Sequence, residues 1–130
     1  VEQSKSLMKL SKVLKAFADP TRLEIIALLS FRPHCVCELA SIIGLSQPTI
    51  SRHLMVLTVA GITTFEKSKY FIIYKLSPKD PFINKLLEIL IEEMRINGLY
   101  DAIISKTTPI PQVLQKTSKT LYFQEGENAK

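Results

Sequence analysis

Between residues 4 and 17 the apolar positions Leu7, Leu10, Leu14 and Phe17 recur at three- and four-residue steps, which lines them along one side of a helix. Asp19-Pro20-Thr21-Arg22 stops that helix and starts another. The aspartate can cap through its carboxylate, and proline is tolerated at the first helical position because its missing N–H would have no partner there. The second helix is predicted to turn Leu23, Ile26 and Leu29 inward and to end at Phe31-Arg32-Pro33, since proline disfavours helical backbone in the residue before it. Val36 to Ile43 reads as a third helix and Gly44-Leu45 as a turn. Ser46 then caps a fourth helix running to about Thr58, with Pro48 in its first turn and Ile50, Leu54 and Leu57 inward.

After Gly61 the pattern changes to Thr64-Phe65, a charged stretch from Glu66 to Lys69, and then Tyr70 to Leu76, rich in β-branched and aromatic residues. This predicts a hairpin with a longer polar tip, because no Gly or Asn is present for a tight primed turn. Asp80-Pro81 opens a long last helix, Pro81 to about Ile104, weakened at Gly98. Its apolar residues Phe82, Ile83, Leu86, Leu87, Ile89, Leu90, Ile91 and Met94 span more than one stripe, so one face is expected to meet its own domain and the other a second copy. A helix-turn-helix pair followed by a hairpin is the winged-helix arrangement. The expected fold is therefore mainly α with a small β-hairpin, a winged helix-turn-helix dimerising through its first and last helices. Residues 1–104 are expected to form the DNA-binding and dimerisation domain. Residues 105–130 are expected to be a polar tail, disordered or in part tag-derived, since Leu121-Tyr122-Phe123-Gln124 matches part of a protease-cleavage tag that the flanking residues do not complete.

Composition narrows this picture. The 130 residues suit one domain with a modest core, and 46% hydrophobic against 22% charged residues excludes a disordered chain. Seventeen Lys+Arg against twelve Asp+Glu leave a net charge of +5, which favours a polyanionic partner without proving one. Only two cysteines are present, two residues apart, so this is no disulfide-stapled secreted framework, and a reducing cytoplasm is the expected setting. The apolar stretch Phe82 to Ile91 is interrupted by Asn84, Lys85 and Glu88, so neither a membrane span nor a membrane partner is expected. With no Gly-rich phosphate loop and no supported Ser/His/Asp set, an enzyme is not expected either.

Two places carry candidate chemistry. The fourth helix opens with Ser46, Gln47 and Thr49 and continues outward with Ser51, Arg52 and His53. Gln can bond bidentately to adenine, Arg to guanine or phosphate, and Ser and Thr to several base edges, so this face suits a major groove. The polar first turn alone would read as an ordinary solvated face; the turn before it and the basic hairpin after it, with Lys67 and Lys69, favour DNA. The second place is Cys35-Val36-Cys37, flanked by His34 and Glu38. A lone cysteine is more often a small buried hydrophobe, but a flanked pair offers soft thiolate ligands.

Three runs, Phe17-Ala18-Asp19-Pro20-Thr21-Arg22-Leu23, Cys35-Val36-Cys37-Glu38-Leu39 and Leu45 through Leu54, resemble the ArsR/SmtB family of metal-sensing transcriptional repressors, in register from about Ser6 to Ser77. The resemblance implies a homodimer on double-stranded operator DNA. Its DNA contacts would be Ser46, Gln47, Thr49, Ser51, Arg52 and His53, with Lys67 and Lys69 on the wing. The sequence departs from the family at Met55, Val56, Thr58 and Val59, where charges are usual; packing, a dimer contact or a patch for another partner are the options. Cys35-Val36-Cys37 resembles the thiolate pair of the family's arsenic, antimony, cadmium and lead sensors. This implies no obligatory cofactor but an inducer ion, As(III), Sb(III), Cd(II) or Pb(II), with His34, Glu38, a small thiol or the second protomer completing the ligand set. No histidine follows His53, so a zinc pair on the last helix is not offered. Structural or redox-sensitive cysteines, or an interaction module that does not bind DNA, are the alternatives.

Residues i and i+2 of a regular helix are rotated by roughly 200°, so the two sulfurs are expected to meet neither on one ion nor in a comfortable disulfide unless the first turn is distorted. No Ser, Thr, Asp or Asn stands at positions 34 to 36 to cap that turn, and it is expected to unwind easily.

Overall fold

The computed structural model describes residues 2–107 and arranges them as α1 (Glu2–Phe17), α2 (Pro20–Phe31), β1 (His34–Cys35), α3 (Val36–Ile43), α4 (Gln47–Val59), β2 (Thr63–Lys67), β3 (Ile72–Leu76), α5 (Pro81–Ile96) and α6 (Leu99–Ile104). The winged helix-turn-helix order is the one the sequence predicts. Helix α2 starts as its residues dictate: Asp19 accepts a 3.0 Å hydrogen bond from the Arg22 backbone N–H, and Pro20 occupies the first turn. That bond, with the Arg22 charge nearby, holds the Asp19 carboxyl below its ordinary range.

Helix α2 is the centre of the core rather than an amphipathic wall. Ile25, Ile26, Ala27, Leu28 and Leu29 are all buried, whereas Leu23, expected inward, is only half-buried. The reason is enclosure: α2 packs against α1, α3, α4, α6 and β3, so it has no solvent face through its middle. Ile50, Leu54 and Leu57 of α4, Ile62, and Ile83 and Leu87 of α5 complete this core.

Two elements depart from expectation. The last helix breaks in two at Gly98, whose φ of +74° is a left-handed conformation that side-chain-bearing residues avoid. The break folds α6 back so that Tyr100 is buried, with its ring under the Arg95 guanidinium at 4.6 Å. The hairpin also gains a third strand. β1 pairs antiparallel with β3, His34 opposite Tyr74 and Cys35 opposite Ile73, giving the order β1-β3-β2. The wing tip is a four-residue connection closed by Ser68 N–H to Phe71 O at 2.8 Å, a longer loop as its residues predict.

The apolar stripe of α1 lies uncovered: Leu7, Leu10 and Leu14 are exposed, and only Phe17 at its end enters the core. Helix α5 buries Ile83, Leu87 and Met94 and leaves Phe82, Ile89 and Ile96 exposed on another face. Residues Ser105 to Thr107 continue on the domain, with Lys106 paired to Glu24 at 3.2 Å. The rest of the expected tail, including Leu121 to Gln124, lies outside the described residues. No helix among the described residues is long and apolar enough to cross a membrane.

Candidate DNA-reading face and cysteine site

Helix α4 is built to present its first two turns. Ser46 caps it, its Oγ accepting from the Thr49 N–H at 3.3 Å and lying 2.9 Å from Thr49 Oγ1, and Arg52 donates to the same Thr49 hydroxyl at 3.2 Å. These three side chains form one polar chain at the surface, Ser46 and Arg52 exposed and Thr49 half-buried between them, with Gln47 and Ser51 exposed beside it. Because Ile50, Leu54 and Leu57 anchor the opposite side, the face cannot rotate away. Lys67 at the end of β2 and Lys69 in the tip are exposed as well.

His53 does not join that outward face. It sits half-buried on the flank of α4, where its Nδ1 accepts from Arg22 Nη1 at 3.1 Å and lies 3.8 Å from Asp19 Oδ2. The helical rotation that buries Leu54 and Leu57 turns residue 53 toward the start of α2 rather than outward. The link ties α4 to the cap of α2.

The cysteine turn also differs from expectation. Cys35 is not helical but extended, φ −81° and ψ 161°, because it ends β1 and stands at the N-cap of α3. The helical rotation that would separate the sulfurs therefore does not apply, and Cys35 and Cys37, with Cα atoms 5.4 Å apart, are disulfide-bonded here. Nor is the turn uncapped. Cys35 Sγ accepts from the Glu38 N–H at 3.4 Å while Glu38 Oε1 accepts from the Cys35 N–H at 3.1 Å, a reciprocal capping box with sulfur in the hydroxyl's place. Cys35 is buried against Ile73, and Cys37 is half-buried near Phe71, so Cys37 is the sulfur that reagents meet first.

Residues that the sequence reading passed over hold this turn. The Arg32 guanidinium grips Glu38 with both arms, Nη1 to Oε1 at 3.2 Å and Nη2 to Oε2 at 2.6 Å, and donates to Thr107 Oγ1 at 3.1 Å. His34 is fully buried: Nδ1–H donates to the Arg32 carbonyl at 2.8 Å, and Nε2 accepts from the Thr107 hydroxyl at 2.9 Å. Burial foremost, with the neighbouring Arg32 charge, pushes the imidazole down to about 4, so it is neutral at pH 7. Both nitrogens of His34 and both oxygens of Glu38 are thus committed to protein partners. Among the described residues no cluster of three His, Cys, Asp or Glu side chains could hold a metal ion. The signal available in the sequence was Arg32 itself, a cation between an apolar helix and a proline.

The turn touches both parts that would meet DNA. β1 is hydrogen-bonded to β3 of the wing, and α3 packs on α4. Against known proteins, residues 19–63, which run from the cap of α2 to the start of β2, match the family model described as bacterial regulatory protein, arsR family. The chain is 37% identical over 86 residues to the arsenical resistance operon repressor of Staphylococcus xylosus, covering 65% of this chain and 83% of that protein. The chain belongs to the ArsR family. Its similarity to the arsenical resistance operon repressor of Escherichia coli K12 is 42% over 71 residues, 54% of this chain and 61% of that protein. The fold matches reduced HlyU from Vibrio cholerae with a TM-score of 0.60 at 32% identity, over 73% of this chain and 95% of that one. These ArsR-type relatives are transcriptional regulators rather than enzymes, and the matched segment contains both the cysteine turn and helix α4.

Proposed function

We propose that this chain is a homodimeric operator-binding repressor released when a thiophilic ion is captured by Cys35 and Cys37. The observation that carries the reading is the extended backbone of Cys35, which sets two sulfurs side by side at the joint between wing and helix-turn-helix. In the reduced protein the pair supplies two thiolates, the donor chemistry that As(III), Sb(III), Cd(II) and Pb(II) prefer. His34 and Glu38 would first have to leave the partners described above. The ligand set is therefore two protein sulfurs completed by a small thiol, water or the partner protomer. Capture draws Cys35 Sγ from the Glu38 N–H, loosens the first turn of α3 and pulls on β3, so recognition helix and wing shift together. Titration of the reduced protein with each ion, followed by thiolate ultraviolet absorption and by release from a palindromic DNA probe, tests this. A protein that ignores all four ions under reducing conditions overturns it.

The bonded pair supports a second reading, release by oxidation. Two thiols would lose two protons and two electrons to a peroxide, hydrogen peroxide giving two waters and an alkyl hydroperoxide giving one alcohol and one water. Release by peroxide with no response to any of the ions would select it.

The dimer follows from the two uncovered stripes, Leu7, Leu10 and Leu14 on α1 and Phe82, Ile89 and Ile96 on α5. Burying such stripes against a second copy removes apolar area from water at about 25 cal/mol per Å². The wild-type protein should sediment as a dimer at micromolar concentration. Leu10→Glu with Leu14→Glu should sediment as a monomer with helix content retained, since neither side chain is in the core. A dimer unaffected by this change would place the interface elsewhere.

On DNA, two recognition helices related by a two-fold axis should read half-sites about one helical turn apart, roughly 10 bp centre to centre or a multiple of it, with binding that weakens in salt. Gln47→Ala and Arg52→Ala should each weaken operator binding by on the order of 1–3 kcal/mol, without changing the melting temperature or the dimer. His53→Ala should act differently, through the loss of its link to Arg22, and lower stability as well as affinity. Unchanged operator affinity in the Gln47 and Arg52 variants would favour an interaction module.

A further inference from the structure

Beyond Arg52 the outward face of α4 turns apolar. Met55, Val56 and Val59 are exposed, Val59 by 74% and Met55 by 58%. Core packing is one of the options the sequence offers for these residues; the structure leaves them in the open, as one wall of a groove of about 550 Å³ between α4 and α1. Val13, Ala16 and Ala60 finish the apolar floor, and the rim is cationic: Lys9, Lys12 and Lys15 of α1, Arg22 and Lys79. No acidic residue lines the groove, and the four lysine side chains make no ion pair among the described residues. Lys79 is held in place by a local device. Its N–H donates to the Gly61 carbonyl at 2.9 Å and its stem crosses Gly61, where a Cβ would collide with it.

An apolar trough of this size under a ring of cations has the chemistry of a ligand site, since pockets for small molecules run to about 300–1,000 Å³ with mostly apolar walls and a few placed charges. We propose that it binds a free single-chain anionic amphiphile, a medium-chain carboxylate whose tail lies on Val56, Val59 and Met55 and whose head meets Lys9, Lys12 and Lys79. A second copy is not the occupant that the surface favours. On α1 the stripe Leu7, Leu10 and Leu14 faces about 160° away from Lys9, Lys12 and Ala16, at roughly 100° of rotation per residue. DNA phosphates would satisfy the lysines but leave the valines and the methionine in water. The groove adjoins the DNA-reading face through α4 itself, and Arg22 on its rim is bonded to His53, so an occupant would be felt at the operator.

The inference goes beyond the repressor reading, and its first measurement needs no DNA. Decanoate is titrated calorimetrically into the reduced protein below its micelle concentration. The expected result is saturable binding at one site per protomer, weakened at least about tenfold, the equivalent of 1.4 kcal/mol, by Val59→Glu and likewise by Lys9→Gln with Lys12→Gln. Val59 is exposed, so its variant should keep the parent melting temperature and dimer. Decanol and decyltrimethylammonium should bind far more weakly than decanoate. Any of these results would overturn the proposal: no saturable heat, equal decanoate binding by Val59→Glu, binding only to phosphatidylglycerol vesicles, or assembly beyond the dimer that Val59→Glu abolishes. Loss of DNA affinity in the lysine variants of a protein that ignores decanoate would make the groove a phosphate track, and would overturn it too.

Discussion

Glu38→Ala should destabilise the reduced protein by about 3–5 kcal/mol, the cost of removing one partner from a buried ion pair. The Arg32 and Glu38 side chains are only 6% and 12% exposed, and their two-armed contact is shielded from water. Removing the carboxylate leaves the guanidinium's charge in the interior without its counter-ion, and His34 beside it is already neutral and cannot compensate. It also opens the capping box by taking away the acceptor for the Cys35 N–H. Glu38→Gln keeps an oxygen for that N–H but loses the charge, and should fall between the two. Urea unfolding of the reduced proteins, with unchanged slopes, is the measurement. A loss below about 1 kcal/mol, the range of a surface pair, would mean that the pair is solvated in solution.

The cysteine variants should separate binding from release. Cys35→Ser leaves a hydroxyl at the N-cap, where serine is among the favoured residues, so α3 should be at least as stable and operator binding intact. Cys37→Ser changes a half-buried side chain and should be equally mild. Both should abolish release by arsenite, antimonite, cadmium and lead, because a neutral hydroxyl does not replace a thiolate. The ratio of operator affinities without and with ion, expected at about 5–150-fold for a typical coupling of 1–3 kcal/mol, should collapse to one. Gel-shift titrations under strong reductant, with and without ion, read this directly. Full release of the double serine variant at the same ion concentration would sink the dithiol reading, and the pair would then be structural.

Much of this could be read along the chain, and the reasons are local. Asp19-Pro20 and Ser46-Gln47-Pro48 each carry a cap and a proline at the helix start, and both act as their chemistry dictates. The break at Gly98 was visible as a weak point, though not as a turn that buries Tyr100. The cysteines were legible as a pair but not as a geometry. Residue 35 was read as part of a helix because Val36 to Ile43 is helical, whereas two residues of β1, paired to a strand nearly forty positions later, hold it extended.

What the sequence by itself determined is the order of helices and hairpin, the polar outward start of α4, the dithiol, and the family that those runs resemble. All of these rest on interactions within a few residues: caps, prolines, glycine turns and the period of apolar positions. Tertiary contact decided the rest. It made α2 a buried core helix, drew His53 away from the outward face of α4 onto Arg22, and joined Arg32, His34, Glu38 and Thr107 around the cysteine turn. It also left Met55, Val56 and Val59 in the open. Those outcomes depend on residues distant in the chain arriving at one place, and no periodicity or spacing encodes which ones meet.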